Sequence, residues 1–137
     1  MTTIVIADDH AAIRRHLHTL LEEEPDLYVI GEADNGFETV SLVESVHPDV
    51  LLLDLKMEGM NGIEVTRRLS TNSPWTKVII YSMYDNKAYV VEALRAGAKA
   101  YILKGSDSTE LLKAISQVIN GRIYLSDSIS NYSNDAS

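Results

Sequence analysis

A chain of 137 residues is the length of one domain with a sizeable core, and its 45% hydrophobic and 23% charged content is ordinary for a soluble globular protein. The absence of cysteine excludes disulfides, thiolate metal sites and cysteine nucleophiles, and a net charge of −8, from 12 basic and 20 acidic residues, disfavours direct contact with nucleic-acid phosphates. No apolar run approaches the ~18 residues of a membrane span, and Met1-Thr2-Thr3-Ile4 lacks the basic region of a signal peptide, so the expectation is a cytoplasmic protein with no membrane partner.

Short β-rich apolar runs alternate with stretches of helical period, five times over. The run at 3–7 leads to a helix at about 10–23, where Ile13, Leu17, Leu20 and Leu21 recur at helical spacing. Glu24-Pro25-Asp26 breaks that helix, and a strand follows at 27–33. The next helix, about 36–47, ends at His47-Pro48, because the residue before proline is disfavoured in a helix. A strand at 50–54 precedes a helix at about 62–71 carrying Ile63, Thr66 and Leu69. A strand at 77–82 precedes a helix at about 86–96, stopped by Gly97. The last pair is a strand at 99–103 and a helix at about 108–120, which is expected to bury Leu111, Leu112, Ile115, Val118 and Ile119 before Asn120-Gly121 closes it.

Five such units predict an α/β, doubly wound, five-stranded parallel sheet covered on both faces by helices. The first, third and fourth strands are unbroken apolar runs and should be central; the second is mixed and suits an edge. The resulting spatial order is 2-1-3-4-5, the flavodoxin-like (βα)5 arrangement, whose ligand site lies beyond the carboxyl ends of strands 1 and 3. After Gly121 the pattern is lost. The Ser/Asn-rich stretch that follows reads as a polar tail or linker.

Polar residues stand at the ends of four apolar runs. Asp8 and Asp9 follow Ile4-Val5-Ile6-Ala7, Asp54 follows Val50-Leu51-Leu52-Leu53, Ser82 follows Val78-Ile79-Ile80-Tyr81, and Lys104 follows Tyr101-Ile102-Leu103. Parallel strands would bring all five to one sheet edge. Three carboxylates within about 5 Å repel one another and rise in pKa unless a cation joins them. Oxygen ligands favour Mg2+ or Mn2+. Asp54 on the innermost strand reads as a metal ligand or a nucleophile, since an unpaired buried charge is costly, and carboxylates do accept phosphoryl groups. Lys104 would then offset phosphoryl charge and the Ser82 hydroxyl would donate to a phosphoryl oxygen. Each also has a plainer reading: Asp8-Asp9 as a helix cap, Lys104 as a surface lysine, Ser82 as the first residue of a loop, Trp75 as packing. The four histidines, His10, His16, His18 and His47, make no metal set among themselves, although His10 stands near the mouth of the site.

With Asp8-Asp9, Asp54, Ser82, Tyr101 and Lys104 in this order, residues 2–122 resemble the receiver domains of two-component response regulators. Val5-Ile6-Ala7-Asp8-Asp9-His10, Tyr81-Ser82-Met83-Tyr84-Asp85 and Glu92-Ala93-Leu94-Arg95-Ala96-Gly97-Ala98-Lys99-Ala100-Tyr101 look like the NarL/FixJ (LuxR-like) subclass. The resemblance implies a receiver domain at 1–122, with 123–137 leading to an effector domain outside this chain. It implies that Asp54 accepts a phosphoryl group from a sensor histidine kinase, and that Asp9, Asp54 and the Lys56 backbone carbonyl bind Mg2+, with Asp8 acting through water. Lys104 would pair with the phosphoryl group, Ser82 would move toward it, and Tyr101 would swing into the space Ser82 leaves. The expected output is dimerisation on phosphorylation and control of transcription through a C-terminal DNA-binding domain. Such a protein assists only its own phosphorylation and slow dephosphorylation, at a rate that the residues at Lys56 and Tyr84 influence in the family.

Two positions depart from the family pattern. Glu58 stands where proline is common, which leaves the rigidity of that loop open, and Gly105 follows Lys104 where many receivers have proline, which leaves the isomer of that bond open. The rival reading is an Mg2+-dependent, aspartate-nucleophile phosphatase of the haloacid dehalogenase type. There the nucleophile lies on the first strand and the acidic pair comes last, with a second Asp two residues after the nucleophile as general acid and base; here the pair comes first and Lys56 takes that place. A flavin or nucleotide module would need a Gly-rich phosphate loop after the first strand, where Asp8-Asp9-His10 stands instead.

Overall fold

Each apolar run forms a strand, and each strand sends alternate side chains into two separate cores. In the computed structural model, which describes residues 1–135, the elements are β1 (Thr2–Ala7), α1 (Ala11–Glu22), β2 (Leu27–Ala33), α2 (Gly36–Val46), β3 (Val50–Leu53), α3 (Gly62–Asn72), β4 (Lys77–Ser82), α4 (Lys87–Ala96), β5 (Ala100–Leu103), α5 (Ser108–Ile119), β6 (Tyr124–Leu125) and a C-terminal 3-10 helix (Asp127–Asp135). All strands are parallel, in the order β2-β1-β3-β4-β5-β6. The expected 2-1-3-4-5 sheet is therefore present, extended by one short strand.

Period-two alternation explains why unbroken apolar runs are needed. Ile4, Ile6, Val50, Leu52, Ile79, Ala100 and Ile102 face one side, where α1 and α5 supply Leu17, Leu21, Leu111, Ala114, Ile115 and Val118. Val5, Ala7, Leu51, Leu53, Val78, Ile80 and Tyr101 face the other, against Val40 and Val43 of α2, Val65 and Leu69 of α3, and Val90 and Ala93 of α4. β2 is an edge, as its mixed sequence implies: Tyr28 and Ile30 remain exposed.

Several expectations are corrected. α3 buries Gly62, Val65, Thr66 and Leu69, while Ile63 is only partly buried, because Val65 and Leu69, one turn apart, form the inner stripe and Ile63 lies to its side. α5 uses Ala114 where the pattern suggested Leu112, and Ile119 stays exposed in its last turn. β3 stops at Leu53, so Asp54 lies just beyond the strand. α2 ends with His47 in the left-handed conformation (φ 49°) ahead of Pro48, a single-residue helix stop that directs the chain into β3.

β5 is not an edge. Leu125 pairs with Tyr101 and Tyr124 with Ala100. Within the stretch read as a polar tail, Leu125, Ser126 and Ile129 are buried; its last two residues, 136 and 137, lie outside the described residues.

Candidate functional site

The carboxyl ends of β1, β3, β4 and β5 meet at one edge of the sheet. The backbone N–H of Asp54 donates to the carbonyl of Ala7 at 3.0 Å, and the N–H of Asp8 to Ala33 at 3.1 Å, so ladder bonds fix both carboxylates at the ends of adjacent strands. The Lys104 N–H likewise donates to the Ser82 carbonyl at 2.8 Å. The structure thus brings together the side chains of Asp8, Asp9, Asp54 and Lys104. The Lys104 ammonium lies 2.9 Å from Asp8 Oδ2 and 3.6 Å from Asp54 Oδ1. Asp8 and Asp54 are almost wholly buried, at 2% and 5% exposure, while Asp9 opens to solvent.

Asp8 and Asp9 do not act as the helix cap weighed as their plainer role. The cap position of α1 is His10, which makes no side-chain cap bond; Asp8 Oδ1 instead accepts from the His10 N–H at 2.9 Å. His10 is the site residue that sequence reasoning undervalued. Its Nδ1 lies 3.0 Å from Asp8 Oδ1 and 2.9 Å from Asp9 Oδ1, and ligand atoms of Asp8, Asp9, His10 and Asp54 all lie within 4.8 Å of one another. The signal was its place directly after the acidic pair. Arg14, one turn into α1, donates from Nη1 to the Asp8 carbonyl at 2.6 Å and pairs with Glu32 at 3.1 Å, tying α1 to the β1 end.

The charge balance is uneven. Three carboxylates face one ammonium, leaving two net negative charges if His10 is neutral. Burial pushes the Asp54 carboxyl above the usual carboxylate range; Lys104 pulls it down, Asp8 and Asp9 push it further up, and the Leu55 backbone hydrogen bond lowers it, with burial prevailing. Two excess negative charges on oxygen donors suit one hard divalent cation, and the single imidazole nitrogen is compatible with Mn2+ as well.

The β3–α3 loop, residues 54–61, holds its shape through close backbone packing rather than proline. The Gly62 N–H donates to the Leu55 carbonyl at 2.8 Å, and the Gly36 N–H donates to the Glu58 carbonyl at 3.1 Å. A Cβ on Gly62 would stand 2.5 Å from the Asp54 carbonyl oxygen, and one on Gly36 would stand 1.9 Å from that of Met60. The bond to Glu58 thus supplies a constraint where the family often has proline. Lys56 is exposed; its ammonium sits 5.3 Å from the Tyr84 ring centre and 5.8 Å from that of Tyr89, and those two rings meet edge to face.

Ser82 and Tyr101 meet at the Tyr84 backbone, and their side chains also lie close: burial raises the Tyr101 pKa, and the Ser82 hydroxyl lowers it in part. Ser82 is fully buried, and its Oγ accepts from the Tyr84 N–H at 3.0 Å; the Tyr101 hydroxyl donates to the Tyr84 carbonyl at 2.5 Å. Tyr101 points inward and is wholly buried, which pushes its hydroxyl up to about 12. The Lys104–Gly105 peptide is trans, with Gly105 at φ 91°. Trp75 is half exposed and packs edge-on against His47, at the opposite end of the sheet from these groups.

A family model for the response regulator receiver domain matches residues 4–116. The chain belongs to this family. It is 39% identical over 127 residues to the nitrate/nitrite response regulator NarL of Escherichia coli, covering 93% of this chain and 59% of that protein. A LuxR-family two-component response regulator from Aurantimonas sp. SI85-9A1 superimposes with a TM-score of 0.92 at 31% identity, over 98% of this chain and 96% of that one. A structure of two RcsB dimers bound to two parallel DNAs matches with a TM-score of 0.88 at 25% identity, over 96% of this chain and 67% of that one. The receiver thus falls in the NarL/FixJ branch and spans about three fifths of the length of the NarL it matches. A receiver of this kind is a signalling domain and not a classical enzyme, and nothing in these relatives favours the phosphatase alternative. Among the described residues no helix is long and apolar enough to cross a membrane.

Proposed function

We propose that Asp54 is the phosphoryl acceptor of a switch driven by a sensor histidine kinase. The observation that carries this reading is the convergence of Asp8, Asp9 and Asp54 with the Lys104 ammonium, 2.9 Å from Asp8 and 3.6 Å from Asp54, at the carboxyl edge of the sheet. In the transfer, an Asp54 carboxylate oxygen attacks phosphorus, the P–N bond of a phosphohistidine breaks, and the departing imidazole takes a proton from solvent. Asp9, Asp54 and the Lys56 backbone carbonyl would hold Mg2+ (or Mn2+), with Asp8 acting through water. The ion would supply positive charge to the phosphoryl oxygens. Lys104 exchanges its carboxylate contacts for a phosphoryl oxygen. The Ser82 hydroxyl donates to another, giving up its bond from the Tyr84 N–H, and the inward Tyr101 occupies the space beside it. His10 orients the two carboxylates that flank it.

This domain assists only its own phosphorylation and slow dephosphorylation, since Lys56 stands where a phosphatase of similar inventory places its acid–base Asp. In the longer protein, the reading assigns transcription control to a DNA-binding effector domain reached through residues 123–137, with the receiver at 1–122 and a homodimer formed on phosphorylation. NarL is named as a response regulator, and RcsB is seen as dimers on DNA. A net charge of −8 agrees with a DNA contact made elsewhere. A cytoplasmic location follows from the kinase partner.

Intact-mass spectrometry after incubation with Mg2+ and acetyl phosphate tests the assignment. The wild type should gain one phosphoryl group and the Asp54→Asn variant none. An adduct on the variant would refute it.

A further inference from the structure

The chain after α5 returns to the sheet and grips it at the strand that carries Tyr101. The Ser126 N–H donates to the Tyr101 carbonyl at 3.0 Å, and Ser126 Oγ accepts from the Leu103 N–H at 3.0 Å. Leu125 and Ile129, at 8% and 2% exposure, join the same buried cluster as the Tyr101 ring and Val90 of α4. Two further contacts tie the end of the segment to α4: Lys87 Nζ lies 2.9 Å from Asp135 Oδ2, and Arg95 Nη2 donates to the Asp135 carbonyl at 3.2 Å. The side chains of both ion-pair partners are at least half exposed, so that pair adds little. The grip therefore rests on buried Leu125, Ser126 and Ile129, helped by the partly buried rings of Tyr124 and Tyr132, while most of the serine, asparagine and aspartate between them is exposed. A short terminal segment held by a handful of side chains and one strand pairing is the kind of unit that opens locally, and so is open to adjustment.

We infer that residues 124–135 form a regulatory strap over the α4–β5 face, whose docking and the inward position of Tyr101 stabilise each other. The inference rests on the reading of Asp54 as phosphoryl acceptor. An outward turn of Tyr101 would take a large ring out of the cluster that Leu125 and Ile129 complete, leaving a void beside them. It would also release the Tyr84 carbonyl that the Tyr101 hydroxyl holds, and Tyr84 is the residue whose N–H rests on Ser82. Whatever draws Ser82 toward a phosphoryl group and keeps Tyr101 inward therefore tightens the strap, and through it sets the direction in which the chain leaves the domain. Coupling of this kind is reciprocal: loosening the strap must weaken the hold on the phosphoryl group by the same factor.

Hydrogen exchange of the whole 137-residue chain, with Mg2+ alone and with Mg2+ and beryllofluoride, tests this, with Asp54→Asn as control. Peptides from the β3–α3 loop report occupancy of the site, and peptides over 124–135 report the strap. Occupancy should slow exchange in both, by about fivefold or more in the strap, the lower end of common couplings. A loop that slows while the strap does not would overturn the strap and leave the site reading intact. A loop that does not respond would defeat both. In the second arm, Ile129→Ala should weaken beryllofluoride binding in Mg2+ by about fivefold, whereas Ile123→Ala, at an exposed position, should leave it unchanged. Unaltered affinity in Ile129→Ala would overturn the coupling.

Discussion

The two ends of the parallel sheet are both polar, but only one is balanced. At the amino ends, the Asp49 carboxylate accepts from the Thr3 N–H at 2.9 Å and the Thr3 hydroxyl at 3.2 Å, while Thr76 Oγ1 donates to the Pro48 carbonyl at 2.8 Å and meets Ser73 Oγ at 2.9 Å. Donors and acceptors there match. At the carboxyl ends, three carboxylates share one ammonium, and Asp54 is held above its ordinary ionisation range. The amino end is finished by the chain itself. The carboxyl end carries an excess negative charge, partly buried, that one divalent cation would balance, and an imbalance of this kind marks a candidate site.

Four measurements can break or sharpen this contrast. Gly62→Ala should have the largest effect, about 3 kcal/mol of lost stability in urea titration, because its Cβ would stand 2.5 Å from the Asp54 carbonyl oxygen; a neutral result would mean the site loop is not held by backbone packing. Saturating Mg2+, at about 100 times its dissociation constant, should stabilise the wild type by about 2.7 kcal/mol and stabilise Asp54→Asn by less; equal shifts would place the ion elsewhere. Thr76→Val should cost about 1–2 kcal/mol, and Mg2+ should not alter that cost, since the amino end lacks the charge imbalance.

The smallest effect is one of pH. Because the folded-state pKa of Asp54 is raised, ionised Asp54 destabilises the native chain at neutral pH. As pH falls through that raised value, the native state takes up a proton before the unfolded state does, and the cost disappears. Asp54→Asn should therefore be the more stable protein at neutral pH without Mg2+, and its advantage should close as pH falls into the carboxylate range. An advantage constant with pH would contradict the assigned cause.

Most of the sheet was legible because burial on both faces forces β3 and its neighbours to be apolar throughout, so each polar residue that ends a run is conspicuous. Asp54 and Lys104 could be placed at one edge for that reason alone. The inner stripe of α3 was not legible, since Ile63 and Val65 are equally apolar and only packing against the sheet and neighbouring helices selects Val65. β6 was not legible: Ile123-Tyr124-Leu125 is too short a run to announce a strand, and Ile129 is a single apolar residue between serines. His10 has no histidine partner to announce it; its meaning comes from the two carboxylates that its Nδ1 meets at 3.0 and 2.9 Å. The bond from Gly36 to the Glu58 carbonyl joins residues far apart in the chain and leaves no local signature.

The central claim is that, of the three carboxylates at this edge, Asp54 alone takes the phosphoryl group. Borohydride reduces an acyl phosphate to the alcohol, which converts a phosphorylated aspartate to homoserine. After incubation with Mg2+ and acetyl phosphate, reduction and digestion, peptide mapping should find homoserine at position 54 and unmodified aspartate at positions 8 and 9. Homoserine at Asp8 or Asp9, or the same yield at Asp54 when Mg2+ is chelated, would contradict the account.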